Sequence, residues 1–202
     1  MDKPEYPQRV TLKNGRTVLL RPLESGDEAE LARFFSKLPP DECTEFFKDD
    51  VYDSDVVRRF VRQCGADRIW AILALVERGR VVGDASLHMT RDGWRRHVGE
   101  VRVVVAPAFQ RQKLDTMLIS ELVNHASLLG LKKLEALVLD CQVETRTAFE
   151  HLGFREEARL GKHAIDFHNR LHDLLILTNT VEDPWLQMEN LVANLEFSRE
   201  GY

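Results

Sequence analysis

A chain of 202 residues, 44% apolar and 30% charged, can bury a substantial core, and its 11 glycines and 7 prolines are too few for a disordered or fibrous protein. Twenty-eight Lys and Arg against 33 Asp and Glu leave a net charge of −5, which argues against the global attraction to phosphate backbones that many nucleic-acid binders carry. No apolar run approaches the ~20 residues that cross a bilayer, and Met1 to Glu5 lacks a signal peptide's apolar core, so a cytoplasmic protein with neither nucleic-acid nor membrane partners is expected.

The stretch from Gln8 to Leu23 alternates as strands do, and Asn14-Gly15 at its centre predicts a β-hairpin, because both turn positions want positive φ. A helix then carries Leu31, Phe34, Phe35 and Leu38, with Asp27 as its expected cap and Pro39-Pro40 as its stop. A second helical stretch is expected through Phe46-Phe47. A third starts at Ser54-Asp55, with Val56, Phe60, Val61 and Cys64 roughly on one face and Gly65 as its end. Ile69 to Val76, Val81 to Met89 and Val98 to Val105 are β-rich runs separated by turn residues, which predicts an antiparallel meander. Leu114, Met117, Leu118, Leu122, His125 and Leu129 have helical spacing, closed by Gly130. Leu134 to Leu139 is a short buried strand, Glu144 to Leu152 a helix ended by Gly153, and Phe154 to Leu160 and Leu171 to Thr178 two final strands. The order defines an α/β (α+β) domain over residues 1–180 with a mixed, mostly antiparallel sheet and flanking helices. Over residues 181–202, Trp185, Met188, Val192 and Leu195 predict a C-terminal amphipathic helical extension, either packed on its own domain or forming a homodimer contact.

Several short marks, in this sequential order, resemble the GNAT superfamily of acetyl-coenzyme A-dependent N-acetyltransferases. They are Leu12-Lys13-Asn14-Gly15, Leu20-Arg21-Pro22-Leu23, Val82-Gly83-Asp84-Ala85, the run Gly99 to Pro107 entering a helix, Leu152-Gly153-Phe154, and His172 to Leu177. The first half and the closing strand look most like the acetyltransferase domain of bacterial protein-lysine acetyltransferases. The resemblance implies the GNAT fold, acetyl-CoA as co-substrate, and a primary amine as acceptor, a protein lysine among the candidates. It also implies that Val103, Val104 and Val105 offer backbone to the pantetheine arm.

The family binds the cofactor diphosphate at a helix start, where unpaired N–H groups and the positive helix end attract an anion. Its pattern there is Q/R-x-x-G-x-G/A. This chain reads Gln110-Arg111-Gln112-Lys113-Leu114-Asp115, so Gln110 matches while Lys113 and Asp115 replace the two glycine positions. Lys113 can serve a phosphate as a point charge; Asp115 repels one, or is merely a good first-turn residue. Glu100 stands where some members carry a catalytic base; the competing reading pairs it with Arg102 or Arg96. Phe149 occupies the position of the family's frequent tyrosine acid, and Gln142 that of an asparagine. Both changes, with the lost glycines, keep open a second class of function: a binding or regulatory module on the same fold that no longer uses acetyl-CoA.

Three other groups carry less. His163, His168 and His172 fit no paired zinc spacing, and no metal is expected. Cys43, Cys64 and Cys141 are widely spaced without a CxxC pair, which predicts reduced, mostly buried thiols. Trp94-Arg95-Arg96-His97 reads first as a charged hairpin tip.

Overall fold

The computed structural model describes residues 5–38, 53–64, 68–166 and 169–181. The helix expected through Phe46-Phe47, the C-terminal helix, Cys43 and His168 lie outside the described residues.

The hairpin forms around Asn14-Gly15, but through a longer connection than a two-residue turn, and of the pair only Gly15 takes the positive φ expected of both. Strands β1 (Gln8–Thr11) and β2 (Thr17–Pro22) pair from Gln8↔Leu20 to Thr11↔Thr17. Gly15 takes φ +80, and its N–H donates to the Leu12 carbonyl at 2.9 Å. Helix α1 (Glu28–Phe35) follows a short 3-10 turn. Asp27 does not cap it as expected. Its carboxylate accepts two 2.7 Å hydrogen bonds from the Arg21 guanidinium and one of 2.8 Å from Glu24 N–H. A bidentate guanidinium partner outcompetes a single helix N–H, so the carboxylate ties the end of β2 to the start of α1. Helix α2 (Ser54–Gln63) is capped by Asp53, whose Oδ1 accepts from Asp55 N–H at 2.8 Å.

The meander is β3 (Ile69–Val76), β4 (Arg80–Met89) and β5 (Val98–Val105), followed by α3 (Leu114–Leu128), β6 (Lys133–Leu139), α4 (Val143–His151), β7 (Arg155–Ile165) and β8 (Leu171–Thr180). Strand β7 runs farther than the sequence suggests, because β8 pairs with it through two register irregularities as far as Ile165. Among the described residues these strands form one sheet in the order β1-β2-β3-β4-β5-β6-β8-β7, antiparallel except at β5–β6.

Each face of the sheet carries its own core. Helices α1 and α2 press Leu31, Phe34, Phe35, Val57 and Val61 onto Leu73, Leu75 and Val81. On the other face α3 sets Leu114, Leu118, Ile119 and Leu122, all fully buried, against Ala85, Leu87, Val101 and Val105. Each such leucine contributes about 2 kcal/mol by leaving water. The period-2 alternation of β4 and β5 therefore divides their side chains between two environments, and polar residues on the α1/α2 face stand out against an apolar background. Gly99 is required where β5 meets β6, since a Cβ there would lie 2.7 Å from Leu87 Cδ1 and 2.9 Å from Leu131 Cδ1.

Candidate active site

The two parallel strands part early. Pairing between β5 and β6 covers only Val98↔Lys133, Gly99↔Leu134 and Glu100↔Glu135, whereas β5 stays paired with β4 as far as Val105. Beyond Glu100 the two strands therefore diverge into a fork, and Val103, Val104 and Val105 line its β5 side. A strand edge released from its neighbour offers backbone N–H and C=O groups to an extended ligand. Glu100 stands where the fork opens, its carboxylate accepting from Arg102 Nε at 2.9 Å. Of its two expected partners the structure selects Arg102, since i and i+2 on a strand share a face.

After β5 a turn leads into α3. Gln110 Nε2 donates to the Val105 carbonyl at 3.3 Å, folding this turn back on the strand end. Arg111 and Lys113 both take left-handed backbone, with φ 59 and 64. Lys113 thus holds, without glycine, a conformation that glycine adopts most easily. Arg111 reaches α4 through Glu144, Nε to Oε1 at 2.6 Å, and Lys113 is exposed and makes no ion pair among the described residues. The Gln112 carbonyl accepts from Lys13 N–H at 3.5 Å, while its side-chain Oε1 is buried with no hydrogen-bond partner among the described residues. Asp115 has turned onto its own helix: Oδ1 accepts from Thr116 N–H at 2.9 Å. One of the N–H groups that a helix start leaves open is therefore occupied by an internal carboxylate.

The remaining expected site residues are held by the fold. Gln142 Oε1 accepts from Leu139 N–H at 2.9 Å, closing the end of β6 before α4. Phe149 is 2% exposed and packs edge-on against Phe154 at 4.9 Å between ring centroids.

Asp84 belongs to the Val82-Gly83-Asp84-Ala85 mark, from which no chemistry was expected. On the α1/α2 face, Asp84, Ser86 and His88 of β4 lie opposite Val104, Arg102 and Glu100 of β5. Asp84, Ser86, His88 and Arg102, together with Phe35, Val57, Arg59 and Phe60, line a cavity of about 240 Å³. Ser86 Oγ and His88 Nε2 are 3.0 Å apart. Asp84 is 4% exposed, its Oδ1 has no hydrogen-bond partner among the described residues, and burial pushes its carboxyl up to about 7. The signal in the sequence was a single carboxylate inside the apolar run Val81 to Leu87.

At the far ends of β6 and β8, His172 sits between two carboxylates, Nδ1 at 3.0 Å from Asp140 Oδ1 and Nε2 at 3.2 Å from Asp166 Oδ2. Cys141 lies beside them, its ligand atom within 4.8 Å of those of Asp140 and His172. Cys64 and Cys141, which were expected to be mostly buried, are half-buried thiols. The hydrogen bond to Asp166 is the chief reason that the His172 imidazole is held above its ordinary range, with Asp140 adding to it. A histidine raised on folding stabilises fully below its unfolded value, near 6.5, and loses that contribution as pH rises through the folded value. Wild-type protein is therefore expected to lose stability with rising pH in the range just above 6.5, and His172→Gln to remove that dependence; urea melts across pH check this. Identical pH slopes in the two proteins would show that the imidazole is not held by these carboxylates.

An eight-stranded sheet with a fork between two parallel strands, and a strand-turn-helix closing one side of it, defines the acetyltransferase class of fold. The family model of the acetyltransferase (GNAT) domain matches residues 17–155. The chain belongs to the GNAT acetyltransferase family. Among solved structures it is similar to the Salmonella typhimurium protein yncA with its cofactor acetyl-CoA, at 21% identity over 82% of this chain and 95% of that one, with a TM-score of 0.72. The GNAT domain of PAT from S. lividans aligns at 16% identity over 89% and 99%, TM-score 0.71. The ribosomal-protein-alanine N-acetyltransferase from Brucella melitensis aligns at 22% over 80% and 99%, TM-score 0.70. No curated protein matches the chain. No helix among the described residues is long and apolar enough to cross a membrane.

Proposed function

We propose that the protein is an acetyl-CoA-dependent N-acetyltransferase acting on a primary amine, with protein lysine as one such acceptor. The observation that carries this reading is the fork between β5 and β6, with Val103 to Val105 along one side and Glu100 at its mouth.

The residues present fit the co-substrate in most respects. The free edge of β5 suits the amide-bearing arm, and the left-handed turn brings Lys113 to the start of α3, beside Arg111, which is already paired with Glu144. Gln110 fixes that turn to the strand end. Gln112 lies between the two left-handed residues, and Gln142 holds the opposite lip at the end of β6. Asp115 opposes an anion there, and its bond to Thr116 N–H takes one donor away. When bound, acetyl-CoA supplies an activated acetyl group, which passes to the amine nitrogen as the carbon–sulfur bond breaks and CoA thiol leaves.

The chain's own work is to orient the amine and to take its proton. An ammonium must lose a proton before its nitrogen can attack, and Glu100, a carboxylate held by the Arg102 guanidinium, is the acceptor assigned here. Phe149 has no proton to give, so this position would leave the departing CoA thiolate without a side-chain acid and its proton would come from water.

Isothermal calorimetry with acetyl-CoA tests the reading directly. Saturable binding supports it. No binding at millimolar ligand would leave a binding or regulatory module on this fold. Asp115→Gly is expected to tighten acetyl-CoA binding by ~10-fold, equivalent to about 1.4 kcal/mol, by removing a repulsive charge and releasing Thr116 N–H. Equal affinity in the two proteins would place the diphosphate elsewhere.

A further inference from the structure

Asp140, Cys141 and His172 are brought together by the sheet and not by their order in the chain. The β6–β8 ladder ends at Leu139↔Leu174, and one step beyond it Asp140 N–H donates to the Asp173 carbonyl at 3.1 Å. The turn after β6 therefore lies against the start of β8, and a carboxylate, a thiol and an imidazole each bring one ligand atom within 4.8 Å of the others. Sequence spacing groups His172 with His163 and His168, where no metal is expected; the fold gives it different neighbours. Bonds of about 2.0–2.3 Å to a tetrahedral Zn²⁺ hold the ligand atoms roughly 3.3–3.6 Å apart, and His172 Nδ1 already stands 3.0 Å from Asp140 Oδ1. The other ring nitrogen points away from this group, 3.2 Å from Asp166 Oδ2. The Asp166 side chain is 0% exposed, and Arg170 donates to it from Nε at 2.7 Å and from its backbone N–H at 2.8 Å. A fixed carboxylate on the far nitrogen is the usual support of a metal-bound histidine, because it settles the tautomer and the ring orientation.

We propose that Asp140, Cys141 and His172 bind one Zn²⁺ ion through Oδ1, Sγ and Nδ1, with Asp166 as the positioning residue for the imidazole and the fourth coordination position open to water. The donor set selects the metal. Ca²⁺ and Mg²⁺ take oxygen ligands, whereas a thiolate beside an imidazole suits Zn²⁺ and its neighbours among the transition metals. Charge agrees with this choice. Asp166 already has the Arg170 guanidinium, so the Asp140 carboxylate and the Cys141 thiolate together balance a dication. Without an ion, Nδ1 keeps the contact to Asp140 described above; on binding, Nδ1 gives its lone pair to the metal, and the Cys141 thiol proton and any Nδ1 proton pass to solvent. The pH-dependent melts of the His172 pair therefore belong to the chelator-treated chain. Cys141 directly precedes Gln142, whose side chain closes the end of β6, so an ion held here ties that turn to β8. The proposal does not depend on acetyl transfer.

The test uses the untagged full chain, freed of metal by chelator and kept reduced. Co²⁺ serves as the spectroscopic probe, since a cobalt–thiolate bond gives a charge-transfer absorption band, and Zn²⁺ is then titrated in to displace it. Wild type is expected to show the band at one Co²⁺ per chain and to lose it as Zn²⁺ binds. Cys141→Ser should abolish the band, while Cys64→Ser keeps it. His172→Gln should weaken Zn²⁺ binding by at least ~10-fold. Asp166→Asn should leave the band in place, because Cys141 still ligates, and weaken binding by ~10-fold through loss of the imidazole's support. No band in wild type, a band that survives Cys141→Ser, or equal Zn²⁺ affinity in wild type and His172→Gln would each overturn the site. Equal affinity in wild type and Asp166→Asn would overturn the role given to Asp166. The first of these outcomes is read on wild type alone, so it holds whether or not a variant folds.

Discussion

Glu100→Gln is expected to lower the rate of acetyl transfer by ~100-fold or more while leaving acetyl-CoA affinity within a factor of about two. Glutamine keeps the length and the carbonyl oxygen that accepts from Arg102 Nε, so the hydrogen bond seen at 2.9 Å can persist with an uncharged acceptor. What disappears is the ability to take a proton. The measurement is steady-state transfer to an alkylamine from pH 6 to 9, with calorimetry on the same preparation. A base that must remove an ammonium proton is needed most at low pH, where free amine is scarce. The variant's deficit should therefore be largest at pH 6 and shrink as the solution itself deprotonates the amine. A variant that matches wild type throughout this range would remove Glu100 from the mechanism and leave proximity at the fork as the source of rate.

Most elements could be read in the chain because their signals are local. Asn14-Gly15 predicts the hairpin through backbone preference alone, and Gly130 and Gly153, at φ +72 and +83, follow the helices they were expected to end. The meander was legible because β-rich runs are separated by the turn residues Arg78-Gly79 and Arg91-Asp92-Gly93. Three features were not legible, and each depends on contacts distant in sequence. Asp27 has the spacing of a helix cap, but Arg21 sits beside it only after β2 and α1 fold against each other. The loss of glycine at Lys113 suggests an altered turn, yet the residue keeps φ 64, because the surrounding strand and helix impose a conformation that costs a lysine only about 1–2 kcal/mol. The cavity at Asp84 exists because α2, some twenty residues earlier in the chain, docks over β4. A sequence pattern places Asp84 on a buried face and says nothing of the space in front of it.

That space gives Asp84 a cost measurable in the protein alone. Burial carries its carboxyl from an ordinary 3.8 to about 7, and the other groups lining the cavity, Arg59, Arg102, His88 and Ser86, do not offset this. Nearby Cys64 is pushed up to about 12, chiefly by its own burial and further by the Asp84 charge. The sign is opposite to that of a salt-bridged carboxylate. Below 3.8 Asp84 is neutral in both folded and unfolded chains and contributes no penalty; between 3.8 and about 7 the unfolded chain releases a proton that the folded chain retains, so stability falls as pH rises; above about 7 the penalty is complete. Asparagine is nearly isosteric and cannot ionise. The stability of Asp84→Asn relative to wild type should therefore rise by on the order of 4 kcal/mol between about pH 4 and pH 8, most other titrations cancelling in the difference. Urea melts of both proteins at several pH values measure it. Parallel curves would mean that the carboxyl titrates as in water and that the cavity is wet enough to solvate it. A divergence of the expected sign would identify a residue kept at a loss to stability.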